Sequence, residues 1–77
     1  MKIILNKIDE IREFGIFKEN IDNLLQVCKN LNIYNTNQYF YNLISNLEEK
    51  ITSSVYLIDD IYILEDLDLL KTFFKNN

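Results

Sequence analysis

The chain has 77 residues and a formal net charge of −4 at pH 7, so it forms one domain at most and is a poor candidate for direct binding to nucleic acid or an anionic membrane. It contains one cysteine and no histidine, which excludes an intrachain disulfide and argues against a transition-metal site. A core of this size stabilises a fold by only a few kcal/mol, so we expect a partner chain to add stability.

The first predicted element is a helix over residues 1–14. Ile4, Ile8 and Ile11 recur at spacings of four and three, with Phe14 on the same side, as in an amphipathic helix. Gly15 follows where this pattern ends, and glycine most readily adopts the left-handed conformation that closes a helix. A short strand at residues 2–5 is the alternative, because this stretch contains two β-branched residues.

The second predicted helix covers residues 17–31. Its apolar residues recur at spacings of four, three, four and three: Phe17, Ile21, Leu24, Cys28 and Leu31. Because Cys28 lies within this seam, we expect a buried hydrophobic side chain rather than a reactive thiol. The seam suits packing within one chain, and it suits a contact between subunits equally well.

Residues 32–37 form the predicted linker to a third helix. Asn35 and Gln38 match a capping box in weak form, and Thr36 is an alternative cap. The helix that follows has apolar residues at spacings of four, three and four: Phe40, Ile44, Leu47 and Ile51.

Residues 51–70 combine twelve apolar or aromatic residues with five carboxylates and have no lysine or arginine. We favour a fourth helix that extends the apolar seam through Val55, Ile58 and Ile61, and a last helix over residues 65–74. A hairpin at residues 55–64 is the alternative, although its Asp-Asp turn would be unfavourable. The sequence therefore predicts an all-α fold, a single helical domain over residues 1–77 that forms a compact bundle of four to five short helices. The alternative fold is α+β with the small hairpin.

The sequence has few residues that indicate a metal-binding, catalytic or phosphate-binding site. The carboxylates of residues 59–68 lack the glycine turn and the alternating ligands of a calcium loop, so we expect a solvated acidic face and no metal. Without histidine the commonest general base is missing, and one glycine cannot build a phosphate-binding loop. We therefore expect neither an enzyme nor a cofactor.

The composition also indicates an origin and a location. The chain lacks alanine and proline and is rich in isoleucine, asparagine, lysine and tyrosine, the residues of A/T-rich codons. We infer a low-GC bacterium, its phage or plasmid, or another AT-rich genome.

No stretch approaches the roughly 18 uncharged apolar residues of a membrane span. Charge returns at Lys7 and Asp9, too early for a secretory signal. The expected location is the cytoplasm, that of the host cell if the protein is viral.

Protein binding is the function that these observations favour. Tyrosines are good interface residues, and acids would steer the chain towards a basic surface. The candidate partner-binding residues are Tyr39, Tyr41, Tyr56, Asp59, Asp60, Tyr62, Glu65, Asp66 and Asp68.

We expect a small acidic inhibitor or adaptor from a phage or mobile element. Its target would present a basic, nucleic-acid-binding surface, as a bacterial defence nuclease does. In the most specific version of this hypothesis the chain is an anti-CRISPR-like inhibitor. The alternatives are a homo-oligomeric structural or scaffold protein, and an immunity or antitoxin protein.

Overall fold

The computed structural model describes residues 2–53 and 61–76. Within them the chain forms five helices and no strand, as predicted for an all-α bundle. The radius of gyration, 11.5 Å, is that of a compact chain of this length. The helices in chain order are α1 (Lys2–Phe14), α2 (Lys18–Lys29), α3 (Ile33–Thr36), α4 (Gln38–Ser53) and α5 (Ile61–Asn76).

Helix α1 is confirmed, and the strand at residues 2–5 is wrong. Ile4, Ile8 and Ile11 are buried, and the Gly15 N–H donates to the Ile11 carbonyl oxygen, with an N···O distance of 2.9 Å. Gly15 has φ of 116°, a conformation that side chains disfavour, so it ends the helix as expected. Phe14 does not join the core and is 68% exposed. It lies roughly 60° around the helix from Ile11, at the margin of the buried stripe.

Helix α2 is shorter than the predicted seam. Ile21, Leu24 and Cys28 are buried as expected, but Phe17 precedes the helix in an extended conformation and is 57% exposed. Phe17 belongs to the connection in which the chain reverses between α1 and α2, so helical spacing does not govern where its side chain lies. Leu31 follows the helix and is partly buried against the core.

The predicted linker at residues 32–37 contains a helical turn, α3, which the sequence pattern did not predict. The start of α4 is capped by Asn37, whose side-chain oxygen accepts the Phe40 N–H at 3.0 Å. Asn37 is extended, with φ of −120° and ψ of 110°, as an N-cap residue must be. The capping box of Asn35 and Gln38 is therefore wrong, and the cap lies between those two residues.

Helix α5 begins at Ile61, four residues before the predicted start of the last helix. The second strand of the alternative hairpin, residues 61–64, is the first turn of α5, so that strand is wrong. Residues 55–60, which hold the rest of the hairpin and most of the separate fourth helix, lie outside the described residues.

Among the described residues, α1, α2, α4, α5 and the first connection supply the buried side chains of one hydrophobic core, and α3 packs against it. Phe40 of α4 is fully buried, and its ring centroid lies 5.2 Å from that of Phe73 and 5.5 Å from that of Phe74 on α5. These aromatic contacts fix the α4–α5 pair, in which the two helices run antiparallel. The buried core residues are Ile4, Ile8, Ile11, Ile16, Ile21, Leu24, Leu25, Cys28, Phe40, Leu43, Ile44, Leu47, Ile51, Ile63, Leu67, Leu70 and Phe74.

Candidate functional site

Helix α5 is apolar on more than one side. Its core residues recur at spacings of four, three and four, and are Ile63, Leu67, Leu70 and Phe74. Three further apolar side chains point to the surface, Ile61 at 62% exposure, Tyr62 at 62% and Leu69 at 46%. A helix that is apolar on opposite sides is typical of an element covered on both. The core covers one side of α5, and the other is exposed in the described residues.

The exposed side forms a continuous surface, which we call the α5 outer face. Tyr62, Glu65, Leu69 and Phe73 follow one another at spacings of three, four and four, so they lie along one side of the helix. Tyr39 of α4 extends this surface sideways, with its ring centroid 6.0 Å from that of Phe73. Ile61 completes the face, which thus consists of Tyr39, Ile61, Tyr62, Glu65, Leu69 and Phe73.

Phe73 makes this face rigid. Its ring is half-buried and packs against Phe40, and it stands edge-on to Phe74 at a centroid distance of 5.3 Å. An outer side chain that is locked to the core loses little conformational entropy when a partner binds. The Tyr39–Phe73 end of the face is therefore preorganised for contact.

Two of the predicted acids lie at the margins of the face, where they bind cations of the same chain. On the α4 side, Lys50 Nζ lies 2.7 Å from an Asp66 carboxylate oxygen, and the Asp66 side chain is only 11% exposed. On the α1 side, Arg12 forms an ion pair with Asp68. Of the α5 carboxylates only Glu65 is exposed without an ion pair to a described residue. The described part of the face is consequently much less acidic than the sequence predicts.

Tyr62 also lies close to a cation. Lys50 Nζ is 5.8 Å from the centroid of the Tyr62 ring and 3.4 Å from the Tyr62 carbonyl oxygen. The ring and the ammonium are close enough for a cation–π interaction. This contact restrains the tyrosine ring, although most of its surface stays accessible.

The structure places Tyr39 and Tyr41 on different surfaces. Residues two apart in a helix are separated by roughly 200° around its axis, so both cannot belong to one face. Tyr41 packs against Tyr34 of α3, with ring centroids 5.1 Å apart. The predicted site is thus divided, with Tyr39, Tyr62 and Glu65 together and Tyr41 apart. Tyr56, Asp59 and Asp60 lie outside the described residues.

Several surface residues were missed by the sequence analysis. Leu69 was not among the predicted site residues, and Ile61, which was predicted to continue the apolar seam of a fourth helix, is 62% exposed. Residues 61–70 hold more apolar side chains than one helical stripe can bury. Phe14 and Phe17 are both exposed on either side of Gly15 and Ile16, although their spacing predicts a position on the apolar side of a helix. Their proximity to Gly15, the chain's only glycine, was the available signal for a sharp reversal.

Cys28, Lys29 and the acidic side chains of the described residues do not by themselves form a second candidate site. Burial raises the pKa of the Cys28 thiol to about 12, so it stays protonated and unreactive near neutral pH. A hydrogen bond to Glu48 raises the pKa of Lys29. Because Lys29 is on α2 and Glu48 on α4, this bond connects the two helices. In residues 2–53 and 61–76 no cluster of three acidic, histidine or cysteine side chains could hold a metal. None of the helices in that part of the chain has the length and apolar character needed to cross a bilayer.

Comparison with models of protein families, with curated protein sequences and with solved structures finds no match to this chain.

Proposed function

We propose that this chain acts by binding another protein, as a small inhibitor or adaptor, and that it docks through the α5 outer face. The observation that carries the proposal is the apolar character of α5 on the side away from the core. Exposed apolar groups that form a contiguous patch on a small soluble domain mark a protein contact more often than they mark chance. No catalytic group is needed for this role.

The face has the composition of a binding hot spot. Tyr39 and Tyr62 supply large, amphipathic side chains, and Leu69 lies between them along the helix. Glu65 is the one exposed carboxylate within this group. The complementary partner is an apolar cleft with a lysine or arginine beside it, and the chain would act by filling that cleft.

In the sharpest form of this proposal, the chain occupies the nucleic-acid groove of a nuclease such as a bacterial defence effector. Such mimicry needs carboxylates that face the target. Asp66 and Asp68 are bound to Lys50 and Arg12, so mimicry would depend on Glu65 together with Asp59 and Asp60. The geometry favours apolar anchoring as the main source of affinity, with charge as a secondary contribution. An immunity or antitoxin protein would bind by the same physics.

The test compares partner capture by three tagged proteins: the wild type, the α5 variant Leu69→Lys and the control Tyr41→Ser. The control removes an exposed tyrosine from a different surface of the bundle. Capture from a lysate of the source cells, followed by mass spectrometry, identifies a protein retained by the wild type and the control. We expect that protein to be lost from Leu69→Lys.

Titration of each variant with the purified partner then measures how much binding is weakened. We expect Tyr62→Ala to weaken binding by about 30-fold, the loss of a typical hot-spot residue. Circular dichroism verifies that each variant is folded. Binding that survives both Leu69→Lys and Tyr62→Ala in folded proteins would contradict the proposal.

A further inference from the structure

A small groove lies between α1 and α2. Its volume is about 230 Å³, below the roughly 300–1,000 Å³ of sites for drug-sized ligands, so a molecule that fills it must be small. Most of the side chains that line the groove are polar or charged, which favours a polar ligand over an apolar segment of a partner protein. The lining residues are Lys7, Glu10, Ile11 and Phe14 of α1, and Asn20 and Asn23 of α2.

The wall of the groove that α1 forms carries one cation and one anion. Lys7 is half-buried and Glu10 is exposed, and neither side chain forms an ion pair or a hydrogen bond with a described residue. They are three residues apart, so their β-carbons lie about 5–6 Å apart on one side of the helix. Two opposite charges without a partner in the described part of the chain therefore border the same small volume.

Two asparagines of α2 form the opposite wall. Because the chain reverses at residues 15–17, Asn20 lies roughly level with Glu10, and Asn23 with Lys7. An asparagine amide offers two hydrogen-bond donors and an acceptor. Neither of these two amides bonds to a described residue, so their hydrogen-bonding capacity remains available to a ligand. Phe14 supplies an apolar surface at the end of the groove nearest the reversal.

We propose that this groove binds a free α-amino acid with a polar side chain. An α-amino acid is a zwitterion at neutral pH, so its carboxylate binds the Lys7 ammonium while its own ammonium binds the Glu10 carboxylate. A ligand with a single charge is attracted by one of these residues and repelled by the other, whereas a zwitterion is attracted by both. Both contacts are charge-assisted hydrogen bonds, which are stronger than neutral ones. The asparagine amides then bind the ligand's side chain.

Titration with L-glutamine, followed by NMR of the backbone amides, tests the site. Low ionic strength is required, because salt screens charges in an open groove. We expect saturable shifts of the resonances of the lining residues. L-Glutamine methyl ester lacks the free carboxylate and N-acetyl-L-glutamine lacks the ammonium, so each should bind about tenfold more weakly than L-glutamine.

Two variants test which end of the ligand each charge binds. In Lys7→Met the methyl ester should bind at least as tightly as L-glutamine, because the group that binds the carboxylate is gone. In Glu10→Gln the N-acetyl derivative should bind at least as tightly as L-glutamine, for the corresponding reason. The matched controls are Lys18→Met and Glu13→Gln, which make the same changes at exposed positions outside the groove. They should retain the affinity and the selectivity of the wild type.

The groove is separate from the α5 outer face. Lys7 and Glu10 lie roughly 160° around α1 from Asp9 and Arg12, the residues that pair with α5. Leu69→Lys should therefore bind L-glutamine as the wild type does. Three results would overturn the proposal: no saturable shifts in the wild type, wild-type binding of either derivative as tight as that of L-glutamine, or wild-type selectivity in folded Lys7→Met and Glu10→Gln. Circular dichroism verifies that each variant is folded.

Discussion

Lys50 on α4 holds the first turns of α5 at two points, because its ammonium lies 2.7 Å from an Asp66 carboxylate oxygen and 3.4 Å from the Tyr62 carbonyl oxygen. Arg12 binds the same part of α5 from the α1 side through Asp68. These carboxylates therefore help to position the helix that carries the candidate site. A loss of binding after their reversal would not distinguish a damaged surface from a damaged fold.

The different roles of Asp66 and Glu65 give the first prediction. Asp66→Lys should lower the free energy of unfolding by about 1–2 kcal/mol, because it removes the Lys50 ion pair and places a second cation beside Lys50. Glu65→Lys should change it by no more than about 0.5 kcal/mol, as is usual at an exposed position. Urea denaturation followed by circular dichroism measures both changes in stability. Equal losses for the two variants would contradict the structural role of the Lys50–Asp66 ion pair.

Gly15 is the subject of the second prediction. Gly15→Ala should destabilise the fold by roughly 1–2 kcal/mol, since φ of 116° is unfavourable for any residue with a Cβ. The new Cβ would also lie 3.0 Å from a carbon at the outer end of the Phe17 ring. That ring is exposed and can move, so we attribute most of the cost to the backbone.

Phe17 provides the control for this assignment. The cost of Gly15→Ala should persist when it is measured in a Phe17→Ala background, because removal of the ring leaves φ unchanged. Thermal unfolding of the wild type, both single variants and the double variant gives the comparison. Complete recovery of stability in the Phe17→Ala background would show that the contact, and not the backbone, is responsible.

The buried thiol predicts a dependence of stability on alkaline pH. Burial raises the pKa of Cys28 from 9.0 to about 12, so between these values the unfolded chain loses a proton that the folded chain retains. The stability associated with the neutral thiol is fully present below pH 9, and it falls as pH rises by up to about 1.4 kcal/mol per unit. Cys28→Ala removes this contribution.

Urea denaturation at a series of alkaline pH values, for the wild type and for Cys28→Ala, isolates the effect. The other groups that titrate in this range, Lys29 included, are present in both proteins and cancel in the difference. The wild type should lose stability more steeply. Parallel curves, or rapid alkylation of the folded wild type by iodoacetamide near neutral pH, would contradict a buried and protonated Cys28.

The parts of the fold that follow from local periodicity were predictable. Ile4, Ile8 and Ile11 in α1, and Phe40 and Ile44 in α4, are buried because spacings of three and four align them on one side of a helix. The same rule failed where the helix stops. Phe14 and Phe17 fit the helical spacing in the sequence. Phe14 is the last residue of α1 and Phe17 lies in the connection, so the path of the chain, and not the spacing, determines their exposure.

The candidate site was predictable in composition but not in its charge. Tyr62 and Glu65 share a face because they are three residues apart, and the separation of Tyr39 from Tyr41 follows from helical geometry alone. The partners of Asp66 and Asp68 are Lys50 and Arg12, which are distant in sequence and come from two other helices. Only the packing of the bundle determines which acids remain available to a partner.

The antiparallel pairing of α1 with α5 has a mechanical consequence. Asp9 pairs with Lys71 and Arg12 with Asp68, so the start of α1 and the end of α5 lie at the same pole of the bundle. A force that pulls these two ends apart acts across the axes of the pair and loads its contacts one after another. The bundle would therefore peel open from that pole at a low force, with the Asp9–Lys71 contact separating before the Arg12–Asp68 contact.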